Sequence, residues 1–493
     1  MGEAVYDVIV VGAGNAGLSA ALAAHQAGTK VLILDKCPKS GRGGNTRFSS
    51  GGFRFIYHSI DDIRPMLPEV SEAEAAKLEV GTYASSDYYQ DVMRVTEYAA
   101  DKKLTKILVD ESYATVRWLS EMNVKWVLST RTAHAVRIGE KIRFPSGRVV
   151  SVKDGGIGLV ETLFGTAQNR NIDIIYEAKA TGFLTDKKGK IAGVRVQTKE
   201  GFKDFEGRAV VLASGGFEAN PEMRAKYLGP GWETVKVRGC RYNSGETLNL
   251  ALGLGAQAAG QWSGCHAALV NAEAPEVEAA HDQMYSYPYG IMVDINGQRF
   301  TDEGADFYTH TYGKLGREVL RLPWRTAFQI FDSKVKHLLR SEYSRHSCVS
   351  ADSVEALGRK FPGLNWDNLV RTVKEFNEAV QDNPFEPAKK DGKGTKGISP
   401  VKSNWAQRLD SPPFYAYPVT CGITFTFGGI RISEKAEVVD TEGNIIRGLF
   451  AAGEITGGSF YENYPGGSAL MKGAVFGRIA GVSAASASKS SKS

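Results

Sequence analysis

Residues 8–11, Val-Ile-Val-Val, form an apolar run with no polar alternation, the pattern of a central parallel strand covered on both faces. Small residues dominate positions 16–27, which predicts a helix able to lie close on that strand and to end at Gly28. Residues 30–34 are again mostly apolar before Asp35, so the chain opens as strand, helix, strand. Residues 172–186, 190–198 and 202–212 read as successive strands joined by short turns, the last running into Ser214-Gly215-Gly216. Helical periodicity occupies about 86–123 and 157–169. A further strand at 448–452 meets Gly453, and a last helix follows Asn463-Tyr464-Pro465-Gly466-Gly467 to about residue 485. The fold class is therefore α/β. It closes residues from both ends of the chain into one Rossmann-like domain, 1–260 with 421–493, around an inserted second, α+β domain at 261–420. The Ser/Lys tail at 487–493 is expected to be disordered.

Composition narrows the function. Sixty Lys plus Arg against 55 Asp plus Glu leave a formal charge of +5, too little over 493 residues to imply a nucleic-acid partner. Five cysteines without a C-x-x-C pair argue against disulfide, zinc, iron–sulfur or haem frameworks and for a reducing compartment. No metal site is expected. No apolar run approaches the ~20 residues of a transmembrane helix, and the start lacks signal-peptide character. A cytoplasmic protein is expected, although Ser491-Lys492-Ser493 distantly resembles a peroxisomal address. The 55 glycines suggest backbone turns shaped around a ligand.

The densest glycine signal is Gly12-Ala13-Gly14-Asn15-Ala16-Gly17, placed between the first strand and helix. That context makes it a dinucleotide fingerprint: Gly12 for the turn, Gly14 for close approach of a pyrophosphate, Gly17 for helix–strand contact, and a helix N-terminus facing negative charge. Asp35, ending the second strand, would accept from a ribose hydroxyl, so the ligand is FAD or NAD rather than a 2′-phosphorylated dinucleotide. The glycine-dense loop at 41–52, with Gly43, Gly44, Asn45, Thr46, Gly51 and Gly52, favours FAD.

These segments, with residues 211–217, 289–303 and 449–454, resemble the flavoprotein subunits of the fumarate reductase and succinate dehydrogenase superfamily. Trp262-Ser-Gly-Cys-His266, Asp302-Glu-Gly-Ala-Asp-Phe307 and the segment 421–429 look most like its tricarballylate dehydrogenase branch. The resemblance implies FAD contacts from Gly12, Gly14, Asn15, Ala16, Gly17, Asp35, Lys36, the 41–52 loop, Ala180, Ala213, Ser214, Gly215, Gly453, Glu454, Ser468 and Leu470. Asn45 stands where membrane-bound relatives carry a flavin-linking histidine, which implies noncovalent FAD.

The resemblance also sets expectations for the substrate side. His266 matches the family's carboxylate-binding histidine and Glu303 its acidic clamp, whereas Lys336, or Lys334 in another register, stands in place of an arginine acid. Thr424 lies where a histidine is missing. Tyr464-Pro-Gly-Gly looks like the corresponding turn of ketosteroid dehydrogenases, and Tyr308 lies close to that family's tyrosine base. Arg241 and Arg54 are further candidate anchors. The implied activity is an FAD-dependent dehydrogenase that desaturates a C–C bond beside a carboxylate or carbonyl of a small molecule, passing electrons to an external acceptor. A soluble ene-reductase and a ketosteroid-type 1,2-dehydrogenase are the enzyme alternatives, and a flavin-binding electron-transfer subunit is the alternative of another class.

Overall fold

The computed structural model describes residues 6–129, 135–144 and 147–490. Its first unit is β1 (Tyr6–Val11), α1 (Asn15–Gln26) and β2 (Val31–Leu34). Val8, Ile9 and Val10 are completely buried, as an unbroken apolar run in a central parallel strand must be. An eight-stranded sheet follows the order Glu437–Val439, Ile445–Ala451, Gly201–Leu212, β1, β2, Asp173–Ile175, and Lys179–Thr185 and Ile191–Thr198 branch from Gly201–Leu212. The pairs β1 with Gly201–Leu212, β1 with β2, and Gly201–Leu212 with Ile445–Ala451 are all parallel. Strands separated by more than 400 positions thus bring Gly12, Ala213 and Gly453 to one edge, the C-terminal ends of the central strands, where α/β sheets bind ligands.

The closing helix Ser468–Ser490 crosses α1 at close range. A Cβ at Gly477 would stand 2.5 Å from the Ala16 carbonyl, and one at Gly481 would stand 2.2 Å from that of Ala20. Small residues on both helices are what permit this approach. The helix continues past residue 485 to Ser490, which corrects the expected disordered tail up to that point. Lys489 Nζ donates to the Ala27 carbonyl at 2.6 Å and ties the last turn to the C-terminal end of α1, where a cation is favoured. Ser491-Lys492-Ser493 lies outside the described residues.

The helical stretch expected at 86–123 is three helices, Ser85–Val95, Lys102–Asp110 and Ser112–Glu121. Glu97 and Tyr98 take φ of 53° and 62°, which breaks the first, and Asp101 starts the second by accepting from the Lys103 and Leu104 amides at 2.9 and 3.0 Å. A second sheet of six strands is organised by Phe414–Thr426, which runs across position 421 and pairs with Lys236–Val237, Cys265–Asn271, Thr326–Phe331 and Val349–Ala351; Ile291–Asp294 extends it. Helix Tyr308–Leu320 packs on Cys265–Asn271. Among the described residues no helix is long and apolar enough to cross a membrane.

Candidate active site

One cavity of about 460 Å³ runs from the sheet edge to the second sheet. Its first half is lined by Gly12, Gly14, Asn15, Ala16, Asp35, Lys36, Gly44, Asn45, Thr46, Gly52, Ala180, Ala213, Ser214, Gly215, Gly453, Glu454 and Leu470. These residues were all expected to hold the cofactor. Gly17, Gly43, Gly51 and Ser468 stand behind the wall. Gly17 fits against the Gly12 carbonyl, which a Cβ would approach to 1.9 Å, and the Ser468 hydroxyl accepts from Tyr88 at 3.0 Å.

Gly14 behaves differently. Its φ is −77°, open to any residue, and a Cβ there would meet no protein atom nearer than 3.6 Å. The protein itself does not need that glycine, whereas a ligand lying on the N-terminus of α1 does. Asp35 is buried at the end of β2, accepts from the Cys37 amide at 3.1 Å, and is pushed up to about 6 by that burial. Asn45 is held on every side: its Nδ2 donates to Glu218 Oε1 (2.5 Å), the Thr424 carbonyl (2.9 Å) and Glu454 Oε2 (3.2 Å), while Oδ1 accepts from the Cys240 amide (2.8 Å). Burial pushes the Glu218 and Glu454 carboxyls up, so two buried acids converge on one amide.

The other half of the cavity is aromatic and cationic. It gathers His266, Thr424, Tyr464 and Tyr308 from the expected set with Arg238, Tyr285, Tyr312, Arg340, Glu342, Phe425 and Phe460. Arg238 Nη1 donates to Thr424 Oγ1, which lies 2.6 Å from His266 Nδ1. Because Thr424 already accepts from Arg238, its proton is available to Nδ1, the tautomer that leaves an N–H on Nε2. His266 Nε2 is buried without a protein partner, and so are Arg238 Nε, Arg340 Nε and the Tyr285 hydroxyl. Burial, and then Arg238, hold the His266 imidazole well below its ordinary range, so it is neutral. Its ring stacks on Phe425 at 5.3 Å and meets Tyr464 edge-on at 5.1 Å. The Tyr464 and Tyr312 hydroxyls are hydrogen-bonded to each other, and burial pushes Tyr464 up to about 12.

Five expected substrate-side residues, Lys334 being the alternative to Lys336, lie elsewhere. Lys336 is exposed, donates to the Tyr417 hydroxyl at 3.1 Å and sits 4.0 Å over the Tyr415 ring. Arg241 is exposed and paired with Glu278 at 2.9 Å. Arg54 is fully buried, where it donates to the Gly466 carbonyl (3.0 Å) and the Tyr83 hydroxyl (2.8 Å); it braces the turn below Tyr464 and does not line the cavity. Glu303 is locked to Arg299 at 2.6 Å and to the Met292 amide at 2.7 Å. Lys334 pairs with Asp332 and Asp410.

Arg148, Arg238 and Arg340, which line the aromatic half of the cavity, were not singled out from sequence. Tyr312 carried a signal, since it follows Tyr308 by one helical turn on the same face. Among the described residues no group of His, Cys, Asp and Glu is arranged to hold a metal.

Residues 7–470 match the family described as FAD binding domain. The chain belongs to that family. It is 30% identical over 490 residues to "Fumarate reductase (cytochrome)" of Shewanella frigidimarina, covering 98% of this chain and 77% of that protein. Among solved structures, the open conformation of a flavocytochrome c3 fumarate reductase matches with a TM-score of 0.73 and 27% identity over 98% of this chain and 78% of that one. A 3-ketosteroid delta1-dehydrogenase from Sterolibacterium denitrificans, solved with 1,4-androstadiene-3,17-dione, shares the fold at a TM-score of 0.75 and 19% identity, covering 98% and 99% of the two chains. The protein is thus an FAD-dependent oxidoreductase acting on CH–CH groups, with an α/β Rossmann-like domain and a cap. The glycine cradle, the helix N-terminus and buried Asp35 fit the cofactor.

Proposed function

We propose that this oxidoreductase desaturates a C–C bond beside a carboxylate of a small organic acid, tricarballylate to aconitate being the type reaction, and that its electrons leave to an external acceptor. The observation that carries the reading is charge: the aromatic half of the cavity is lined by three largely buried guanidinium groups, Arg148, Arg238 and Arg340, and one carboxylate, Glu342, together with the neutral His266. Burial would push the Glu342 carboxyl up, but Arg340 at 2.7 Å holds it below the ordinary carboxylate range. The uncompensated cation suits an acid.

FAD, when bound, supplies the two-electron exchange with the substrate carbon. Arg238 and His266 Nε2 are placed to hold a carboxylate, and the aromatic rings of Phe425, Phe460 and Tyr464 exclude water around it. The Tyr308 oxygen, which lines the cavity and accepts from Arg340 Nη1 at 2.9 Å, is the proposed acceptor of the proton lost from the neighbouring carbon. FAD is proposed to be held without a covalent link, Asn45 acting as a hydrogen-bonded fixture between Glu218, Glu454 and Thr424.

A second reading, desaturation beside a ketone, draws on the Tyr464–Tyr312 hydroxyl pair, which could polarise a carbonyl. Anaerobic bleaching of the bound flavin by di- and tricarboxylates, cyclic ketones and steroids separates the two. Bleaching by an acid with no response to neutral ketones supports the first reading. Bleaching by ketones alone replaces it with the second, and re-oxidation of reduced enzyme by unsaturated acids without any bleaching reverses the proposed direction.

A further inference from the structure

Lys472 stands in the second turn of helix Ser468–Ser490 and lines the cavity beside Gly453, Glu454 and Phe460. It is 6% exposed. Its ammonium donates to the Thr456 carbonyl at 2.6 Å, a neutral acceptor, and lies 5.6 Å from the centre of the Phe460 ring. No described carboxylate comes within ion-pairing distance of it. Burial pushes it down to about 8, with Glu454 opposing, so it is a cation at neutral pH. A buried ammonium without an ion-paired carboxylate is costly, and Glu454 acts on it only from beyond ion-pairing distance, while Leu470 and Phe460 offer it no charge. Neither the fingerprint nor the substrate-side cluster makes use of it.

We propose that Lys472 is a potential-setting residue: its buried charge on the cavity wall raises the reduction potential of the FAD held there. Taking up two electrons and one proton leaves the reduced cofactor one negative charge richer than the oxidised one. A fixed cation in a low-dielectric wall stabilises that added charge more than it stabilises the oxidised form. The N-terminus of the same helix, where Ala469, Leu470 and the preceding Gly467 also line the cavity, acts in the same sense. In the desaturating direction such a shift favours withdrawal of electrons from substrate. The inference rests on FAD binding alone and is independent of which substrate is oxidised.

The test is the midpoint potential of the FAD-loaded protein, measured anaerobically against a reference dye. Lys472→Gln keeps a donor for the Thr456 carbonyl while removing the charge, and Lys472→Met removes both. At a fixed poise each is expected to shift the reduced-to-oxidised ratio at least tenfold toward oxidised flavin, about 30 mV for a two-electron couple. Lys472→Arg is expected to stay near the parent. A neutral variant with the parent potential overturns the proposal, as does an arginine variant that moves as far as the neutral ones. Failure of both neutral variants to retain oxidised FAD overturns it too, because the charge would then serve to hold the cofactor and not to set its potential. A lower melting temperature with an unchanged potential would mark Lys472 as a tie to Thr456 only.

Discussion

Arg340 Nη1 donates to the Tyr308 hydroxyl at 2.9 Å, joining a residue that starts the cap helix Tyr308–Leu320 to one that precedes the 3₁₀ segment Ser341–Arg345. Burial would lower the Arg340 guanidinium, but Tyr308 and Glu342 beside it hold it above its ordinary range, so it is a permanent charge. The pair makes a sharp prediction about which cap cation matters. Arg340→Met should cut kcat/KM for an acid substrate by roughly 10- to 150-fold, the ~1.5–3 kcal/mol of a charge-assisted hydrogen bond. Tyr308→Phe should slow flavin reduction by roughly 100-fold or more, the usual worth of a positioned proton acceptor. Lys336→Met, outside the cavity, should leave both within a factor of two. Anaerobic stopped-flow on the three variants checks this, and a Lys336 variant as damaged as Arg340→Met would refute the assignment.

A different experiment separates the two glycines of the fingerprint that differ most in surroundings. A valine at Gly14 meets no protein atom within 3.6 Å of its Cβ, so Gly14→Val should fold with a melting temperature close to that of the parent apoprotein yet fail to bind FAD. Gly17→Val drives a Cβ to 1.9 Å from the Gly12 carbonyl and should lose the fold itself. Circular dichroism melts and FAD fluorescence titration tell the outcomes apart. FAD binding by Gly14→Val at parent affinity would contradict the cradle.

What the sequence made legible follows the range of the forces involved. The β1–α1–β2 unit and its glycines are local patterns, so both the elements and most of the residues facing the cofactor could be read from spacing. Substrate-side residues are set by tertiary placement. Lys336 and Arg340 are four apart and would share a face on an α-helix, but Ser333–Leu338 is a 3₁₀ turn and Leu339 is extended at φ −69° and ψ 138°. That one residue swings Arg340 into the cavity and leaves Lys336 on Tyr417. Arg238 likewise enters because its amide bonds the Ile423 carbonyl at 2.8 Å, a contact over 185 positions that no local pattern announces. His266 and Tyr464 were legible because each sits in a short motif.

Asp35 gives a pH dependence of cofactor binding. In the protein without FAD, burial pushes its carboxyl up to about 6, whereas a ribose hydroxyl donates best to the ionised form. Affinity for FAD should therefore be level above pH 7 and weaken as pH falls through 6, by at most about tenfold per unit. Asp35→Asn should bind more weakly at pH 7.5 and show no such slope. Fluorescence titrations between pH 5 and 8 check it, and an affinity for the parent that improves on acidification would count against the ribose assignment.

His266 has the opposite linkage, and its sign can be worked through. Its folded-state pKa lies well below the ~6.5 of an unfolded histidine, because burial and then Arg238 disfavour the charged ring. Below about pH 6.5 the unfolded chain takes up a proton that the folded site refuses, so stability falls as pH falls, by up to about 1.4 kcal/mol per unit. Asp35 acts against this in the apoprotein. Its folded pKa of about 6 exceeds the unfolded ~3.9, so the folded state holds the extra proton between those values and loses stability as pH rises through them. The two slopes partly cancel between pH 4 and 6, and the parent melting curve alone cannot assign them. His266→Asn should remove only the first, making the apoprotein less sensitive to acid between pH 6.5 and 5 relative to the parent, while Asp35→Asn should make it more so. The same His266→Asn change leaves Thr424 and Arg238 in place but loses the Nε2–H donor, so KM for the acid substrate should rise roughly 10- to 150-fold with a smaller change in kcat. Thermal melts across pH, paired with steady-state kinetics, test both halves. A parent-like acid slope in His266→Asn would mean that the imidazole is already charged in the cavity, and the neutral donor assigned to the substrate carboxylate would have to be abandoned.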